Sequence, residues 1–111
     1  MYLLNWDQEN NAIEASLGGV ITAGEVSVMV DDLVDEFVAG DVAGWEFVLD
    51  TTFVKRFDEG AHDQINRLRD LLAINGARLV FVAEDQSLVE ALTSQNLQAV
   101  LEGREIYRMA A

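Results

Sequence analysis

The chain has a single histidine, His62, and carboxylates surround it in the sequence at Asp58, Glu59 and Asp63. An imidazole among acids is the combination used for general acid–base catalysis and for metal ligation. A metal site needs several converging ligands, however, and Asp58 and Glu59 already have roles at a predicted helix start, as N-cap and as a dipole-compensating charge. We therefore predict no metal site and no cofactor here.

Asp50 follows a short apolar run, as the phosphoacceptor aspartate of a receiver-type domain would. The magnesium site of such a domain requires an acidic pair at the end of the first parallel strand. This chain has Gly18, Gly19 and Val20 there, and no Lys-Pro anywhere. It also lacks a Gly-x-Gly-x-x-Gly, a phosphate loop with its lysine and a serine nucleophile elbow. We assign no catalytic residue and expect the chain not to be an enzyme.

These side chains must be positioned by the stretch from Gly44 to Asp63. Residues 45–49 form an aromatic and β-branched run bounded by turn residues, which predicts a buried central strand followed by an exposed polar loop. From Asp58 onward, apolar residues recur at helical spacing, which predicts a helix with Asp58 as its N-cap. The apolar positions of this helix are Ala61, Ile65, Leu68 and Leu72.

The first forty residues predict a hairpin and a helix. Residues 2–7 and 13–17 alternate in polarity around turn residues, and Gly18-Gly19 is expected to bend the chain out of the sheet. Thr22 is a candidate cap for an amphipathic helix over residues 25–38, which Gly40 should end in a left-handed conformation.

The C-terminal part continues the alternation of strands and helices. Residues 77–83 predict a strand beside residues 45–49. A third helix should follow, capped by Asp85 or Ser87, running to about Gln95 and ended by Asn96. Residues 97–101 are interpreted as a last short strand, whereas residues 102–109 fit either a strand or a helix.

The element order is β-β-α-β-α-β-α-(β), which predicts an α/β fold with a small mixed β-sheet and helices packed mainly on one face. A chain of 111 residues, half of them hydrophobic, is expected to form one domain over residues 1–111. There is no apolar run of about 20 residues and no secretion-signal pattern, so we expect a cytoplasmic protein without membrane insertion.

The net charge of −13 argues against binding to nucleic acid or to anionic membranes. Residues 1–50 contain eleven acids and no lysine or arginine. The acidic helix face is formed by Asp31, Asp32, Asp35 and Glu36. It is interpreted either as a solvated surface or as a docking face for a basic partner.

The order and spacing of three segments together resemble a known family. Residues 48–50 (VLD), 58–61 (DEGA) and 75–82 (NGARLVFV) are similar to the corresponding parts of a STAS domain, the sulphate transporter and anti-sigma factor antagonist family. The similarity extends from about Gly19 to Leu97. The fold that it implies is a small mixed sheet with helices largely on one side.

In that family, a hydroxyl residue in the loop before the second helix is phosphorylated by a partner kinase, which releases the partner. Glu59 occupies the matching position here, so the usual acceptor hydroxyl is absent. The resemblance implies a partner-binding surface made by this loop and the exposed start of the helix. We call it the loop surface; its residues are Asp58, Glu59, Gly60, Ala61, His62, Asp63, Asn66 and Arg67.

Two classes of function are compatible with this resemblance. The first is a non-catalytic, bacterial regulatory module that binds a kinase-like anti-sigma factor or a phosphatase. The alternative is a small-ligand or lipid-handling accessory domain of a transport system. A monomer and a homodimer are both compatible with the sequence.

Overall fold

In the part of the chain that the structure describes, five strands form one sheet whose spatial order follows the chain, β1-β2-β3-β4-β5. The computed structural model describes residues 2–84, 86, 90, 93–94 and 97–110. The strands are β1 (Tyr2–Asp7), β2 (Ala12–Ile21), β3 (Glu46–Phe57), β4 (Arg78–Ala83) and β5 (Glu105–Met109). The helices whose bounds lie within the described residues are α1 (Ala23–Ala39), α2 (Ala61–Ile74) and α3 (Leu97–Leu101).

The sheet is mixed because its first pair is a hairpin and the rest are crossovers. β1 and β2 are antiparallel, whereas β2, β3, β4 and β5 are parallel to one another. In the hairpin turn, Asp7 accepts a hydrogen bond from the Asn10 amide at 3.2 Å, and Asn11 adopts the left-handed conformation that asparagine tolerates. The predicted hairpin and mixed sheet are confirmed.

Helix α1 begins as predicted and ends differently. The Thr22 hydroxyl accepts a hydrogen bond from the Glu25 amide at 3.2 Å, which confirms Thr22 as the N-cap. Gly40 follows the helix with φ of −131°, which is extended and not left-handed as predicted. Its amide donates to the Glu36 carbonyl, so the last turn closes without a left-handed residue.

The central strands are longer than the sequence patterns predicted. β3 runs on through Asp50, Thr51 and Thr52 to Phe57, where a polar loop was expected. β2 likewise continues through Gly18-Gly19 to Ile21 and pairs with β3 across register shifts at these glycines. The extra residues of these shifts lie on β3, opposite the glycines, so the glycines mark bulges in the β2–β3 pairing and do not bend β2 out of the sheet.

The start of α2 contradicts the predicted cap. The helix begins at Ala61, and its N-cap is Gly60, with φ of 89° and no side-chain cap hydrogen bond among the described residues. The Asp58 side chain instead accepts from Arg56, while the Asp58 carbonyl accepts from the Ala61 amide. Asp58 is too far from the helix to cap it because two turn residues intervene.

Helices α1 and α2 contact each other and cover one face of the sheet. All four predicted core positions of α2 are buried, with Leu68 at 0% exposure. Leu68 belongs to the same cluster as Phe47, Leu49, Leu79 and Phe81. Because side chains alternate along a strand, Val48 and Val80 lie on the other face, so Leu68 does not pack over them.

The C-terminal part confirms one predicted pairing and corrects another element. β4 lies beside β3 in parallel register, with Val48 opposite Val80, as expected. The predicted helix over residues 85–95, its caps at Asp85 or Ser87 and its stop at Asn96 lie largely outside the described residues. Residues 97–101 form helix α3 and not a strand, and the undecided segment after them contains β5, which pairs with β4.

Candidate functional site

The loop surface lies where β2 and β3 end and the two long helices begin. The Asp58 amide donates to the Ile21 carbonyl at 2.8 Å, which holds the chain before α2 against the chain before α1. A methyl group added at Gly60 would approach the Ala23 side chain at 3.4 Å. The two helix starts are therefore packed together at the carboxyl end of the parallel strands, where α/β proteins commonly place their binding sites.

The structure brings most of the predicted site residues to one surface. The exposed members are Glu59, His62, Asp63, Asn66 and Arg67, and Asp58 and Gly60 are half-buried. Ala61 is different, because it is 0% exposed and points into the core. Ala61 therefore supports the surface from beneath and offers no side chain to a partner.

Four contacts fix the orientation of side chains on this surface. Arg56 Nε lies 3.2 Å from Asp58 Oδ1, and the ring centroids of His62 and Phe57 are 6.0 Å apart. Arg67 forms an ion pair with Asp31 and donates to Ser27 Oγ at 3.4 Å. Through Arg67 the loop surface is continuous with the acidic helix face of α1, so the two candidate surfaces are neighbours.

The second half of β3 forms an extended arm beside the loop surface, which was not predicted from the sequence. β4 pairs with β3 from Glu46 to Asp50, so the second half of β3 extends beyond β4 while it stays paired with β2. Phe53 on this arm is 76% exposed, and Lys55 two residues further on is also exposed. The signal was the run TTFVKRF, in which β-branched and aromatic residues favour a strand.

A second polar cluster, which the sequence analysis also missed, joins α2 to β5. Arg69 Nε donates to Glu105 Oε1 at 2.7 Å, Arg69 Nη2 donates to the Tyr107 hydroxyl at 3.2 Å, and Tyr107 donates to Glu105. Glu105 is only 5% exposed. Burial, and then the hydrogen bond to Glu105, raises the pKa of Tyr107 to about 12.

The loop surface offers groups that can recognise a partner by charge and hydrogen bonding. Its exposed groups are carboxylates, an imidazole, an amide and a guanidinium on adjacent helix turns. In the described part of the chain, no three His, Cys, Asp or Glu side chains gather as metal ligands. No helix within the described ranges is long and apolar enough to cross a bilayer.

Comparison with solved structures identifies the architecture. A protein of the DUF3478 family from Shewanella loihica PV-4, described as having a SpoIIAA-like fold, superposes with a TM-score of 0.69 at 12% identity. That match covers 99% of this chain and 84% of the other. The anti-sigma factor antagonist SpoIIAA in its unphosphorylated form gives a TM-score of 0.60 at 11% identity, covering 100% and 90% of the two chains. The chain has a STAS-like fold.

This STAS-like fold is also similar to part of a larger protein. A structure described as Mglu gives a TM-score of 0.56 at 24% identity, over 75% of this chain and 19% of that one. No family model matches the sequence, and no curated protein matches it. Because the identities are low, the similarity shows the fold of the chain and nothing beyond it. This fold agrees with the resemblance seen in the sequence.

Proposed function

We propose that this STAS-like domain is a non-catalytic interaction module of a bacterial regulatory system, acting in the cytoplasm in the manner of an anti-sigma factor antagonist. The observation that supports this proposal is the loop surface itself. It gathers five exposed polar side chains on and before the first turns of α2, at the carboxyl end of the sheet. The chain shares its fold with a protein that is such an antagonist.

The resemblance to STAS domains suggests the class of partner, and the charge at Glu59 suggests how that partner is bound. Glu59 is exposed, and a carboxylate group carries one negative charge, whereas a phosphoserine would carry about −1.5 to −2 at neutral pH. A partner with an arginine or lysine opposite Glu59 would bind it without any phosphorylation. We therefore infer constitutive binding to a kinase-like anti-sigma factor or a phosphatase.

The test uses regulatory proteins encoded beside the gene, purified and titrated individually by isothermal calorimetry. Glu59→Lys should weaken binding to the cognate partner by about tenfold or more, because it places like charges opposite each other. Glu59→Ser should weaken the binding less than Glu59→Lys does. Glu14→Lys makes the same charge change at an exposed site on β2, away from the loop surface, and should leave the affinity unchanged.

A Glu59→Lys variant that binds as tightly as the parent would exclude the loop surface as the contact. The acidic helix face of Asp31, Asp32, Asp35 and Glu36 would then be the better candidate. Binding to transporter subunits, with none to kinase-like proteins or phosphatases, would replace the regulatory proposal by the transport alternative. Incubation with a partner kinase and ATP should add no phosphate to residues 58–61, since none of them has a hydroxyl group.

A further inference from the structure

A cavity of about 480 Å³ lies at the end of the molecule opposite the loop surface, where α1 ends and β3 begins. We call it the indole pocket. Its walls are Trp6, Gln8, Glu36, Ala39, Gly40, Asp41, Val42 and Trp45. The volume is within the range of about 300 to 1,000 Å³ that small-molecule sites occupy.

Two tryptophans form a corner of this pocket. The ring centroids of Trp6 and Trp45 are 6.3 Å apart and their planes are inclined at 62°. Phe37 supports Trp6 from the core side, with centroids 6.2 Å apart and planes at 85°. Both indoles are half-buried, so each is fixed by packing while part of it remains open to the pocket. The faces of such rings carry negative electrostatic potential and attract cations.

The charges around the indoles have the same sign. Glu36 and Asp41 line the pocket, and its walls contain no lysine, arginine or histidine. The last turn of α1, which ends at this pocket, has no basic residue to offset the negative end of the helix dipole. Asp41 is held in place because its Oδ1 accepts a hydrogen bond from the Ala43 amide at 3.0 Å.

We propose that the indole pocket binds an organic ammonium ion, either a quaternary ammonium or a protonated alkylamine. The aromatic corner matches the apolar substituents of such an ion, and the carboxylates and helix end match its charge. A hard metal ion would find few converging oxygen ligands, and an anion would be repelled. This inference does not depend on the proposed partner binding, because the pocket and the loop surface lie at opposite ends of β3.

The experiment compares choline with its neutral isostere 3,3-dimethylbutan-1-ol, at constant ionic strength set with potassium chloride. The chain has two tryptophans and both line the pocket, so their fluorescence reports occupancy directly. Choline should change the emission saturably and bind about threefold to thirtyfold more tightly than the isostere, the range expected of cation–π contacts. Isothermal titration should give the same ratio.

Two variants locate the site. Glu36→Gln, an exposed position that leaves packing intact, should weaken choline binding about threefold or more, and Trp45→Leu should weaken it at least as much. Asp35→Asn is the matched control, because Asp35 is exposed on the same helix but does not line the pocket. Equal affinity for choline and the isostere would overturn the proposal, as would no saturable change or an equal loss in Asp35→Asn.

Discussion

At the scale of single residues, Thr22 and Asp58 show that a residue type favoured at the N-cap of a helix does not always cap the helix that follows it. Both precede a long helix by sequence pattern, and both are good capping types. Thr22 stands directly before α1 and bonds to its Glu25 amide. Asp58 is separated from α2 by Glu59 and Gly60, and its carboxylate accepts from Arg56.

Their substitution by alanine should therefore have unequal effects. Thr22→Ala removes a cap and should lower the free energy of unfolding by about 0.5 to 2 kcal/mol. Asp58→Ala removes only an exposed ion pair and should cost less than about 1 kcal/mol. Urea unfolding of both variants measures the difference, and a larger loss for Asp58→Ala would restore Asp58 as a structural determinant of α2.

Tyr107 gives a prediction for alkaline pH. Burial and the hydrogen bond to Glu105 raise its folded-state pKa from 10.0 to about 12. As the pH rises, the unfolded chain therefore loses the Tyr107 proton before the folded chain does. The contribution of the neutral hydroxyl to the free energy of unfolding is complete below about pH 10 and declines as the pH rises toward 12. The same hydroxyl in the Arg69 cluster should remain neutral throughout the physiological range.

Absorbance at 295 nm follows this titration, since the chain has only two tyrosines. The hydrogen bond to Asp32 also raises the pKa of Tyr2, so each tyrosine needs its own variant. Tyr2→Phe should leave a single transition near pH 12, that of Tyr107. A transition near pH 10 in Tyr2→Phe would mean that Tyr107 is not desolvated in solution.

At the scale of elements, two arginines of α2 make contrasting connections. Arg69 reaches across to β5 and pairs with the buried Glu105, with side-chain exposures of 18% and 5%. Arg67 pairs with Asp31 of α1 at the surface, with exposures of 44% and 63%. The Arg69–Glu105 pair connects β5 to helix α2, whereas the Arg67–Asp31 pair is exposed to solvent.

Replacing each arginine by methionine separates these roles. Arg69→Met leaves the Glu105 carboxylate buried without its cation and should cost about 3 to 5 kcal/mol. Arg67→Met should cost less than about 1 kcal/mol, because exposed pairs contribute little. Urea unfolding at neutral pH compares the two, and equal losses would contradict the assigned burial of Glu105.

The elements that sequence reasoning predicted correctly are those in which hydrophobic residues recur at a regular spacing. The stripes of α1 and α2, the alternating hairpin and the apolar β4 each bury one regular set of side chains. The second half of β3 was missed because its Asp50-Thr51-Thr52 start reads as a turn. In the structure, Thr51 bonds to the Val82 carbonyl and Asp50 accepts from Thr52, which satisfies these polar groups within the sheet.

The candidate sites were less predictable for a related reason. The loop surface could be predicted because neighbouring residues in the sequence form it, and Ala61, which was predicted both as a site residue and as a core position of α2, lies beneath it. The Arg69 cluster and the indole pocket join side chains more than thirty positions apart. Such groups meet only after the strands have paired, and no local spacing in the sequence indicates their contact.

At the scale of the whole molecule, the strand order has a consequence for how the sheet can be assembled during translation. Each strand pairs with the strand made just before it, so no segment has to insert between two strands already joined. A nascent chain emerging from the ribosome can form the first hairpin and then add one strand at a time to the newest edge. The polypeptide is therefore suited to growing its sheet in the direction of synthesis, with β5 and its Arg69 contact added after β4.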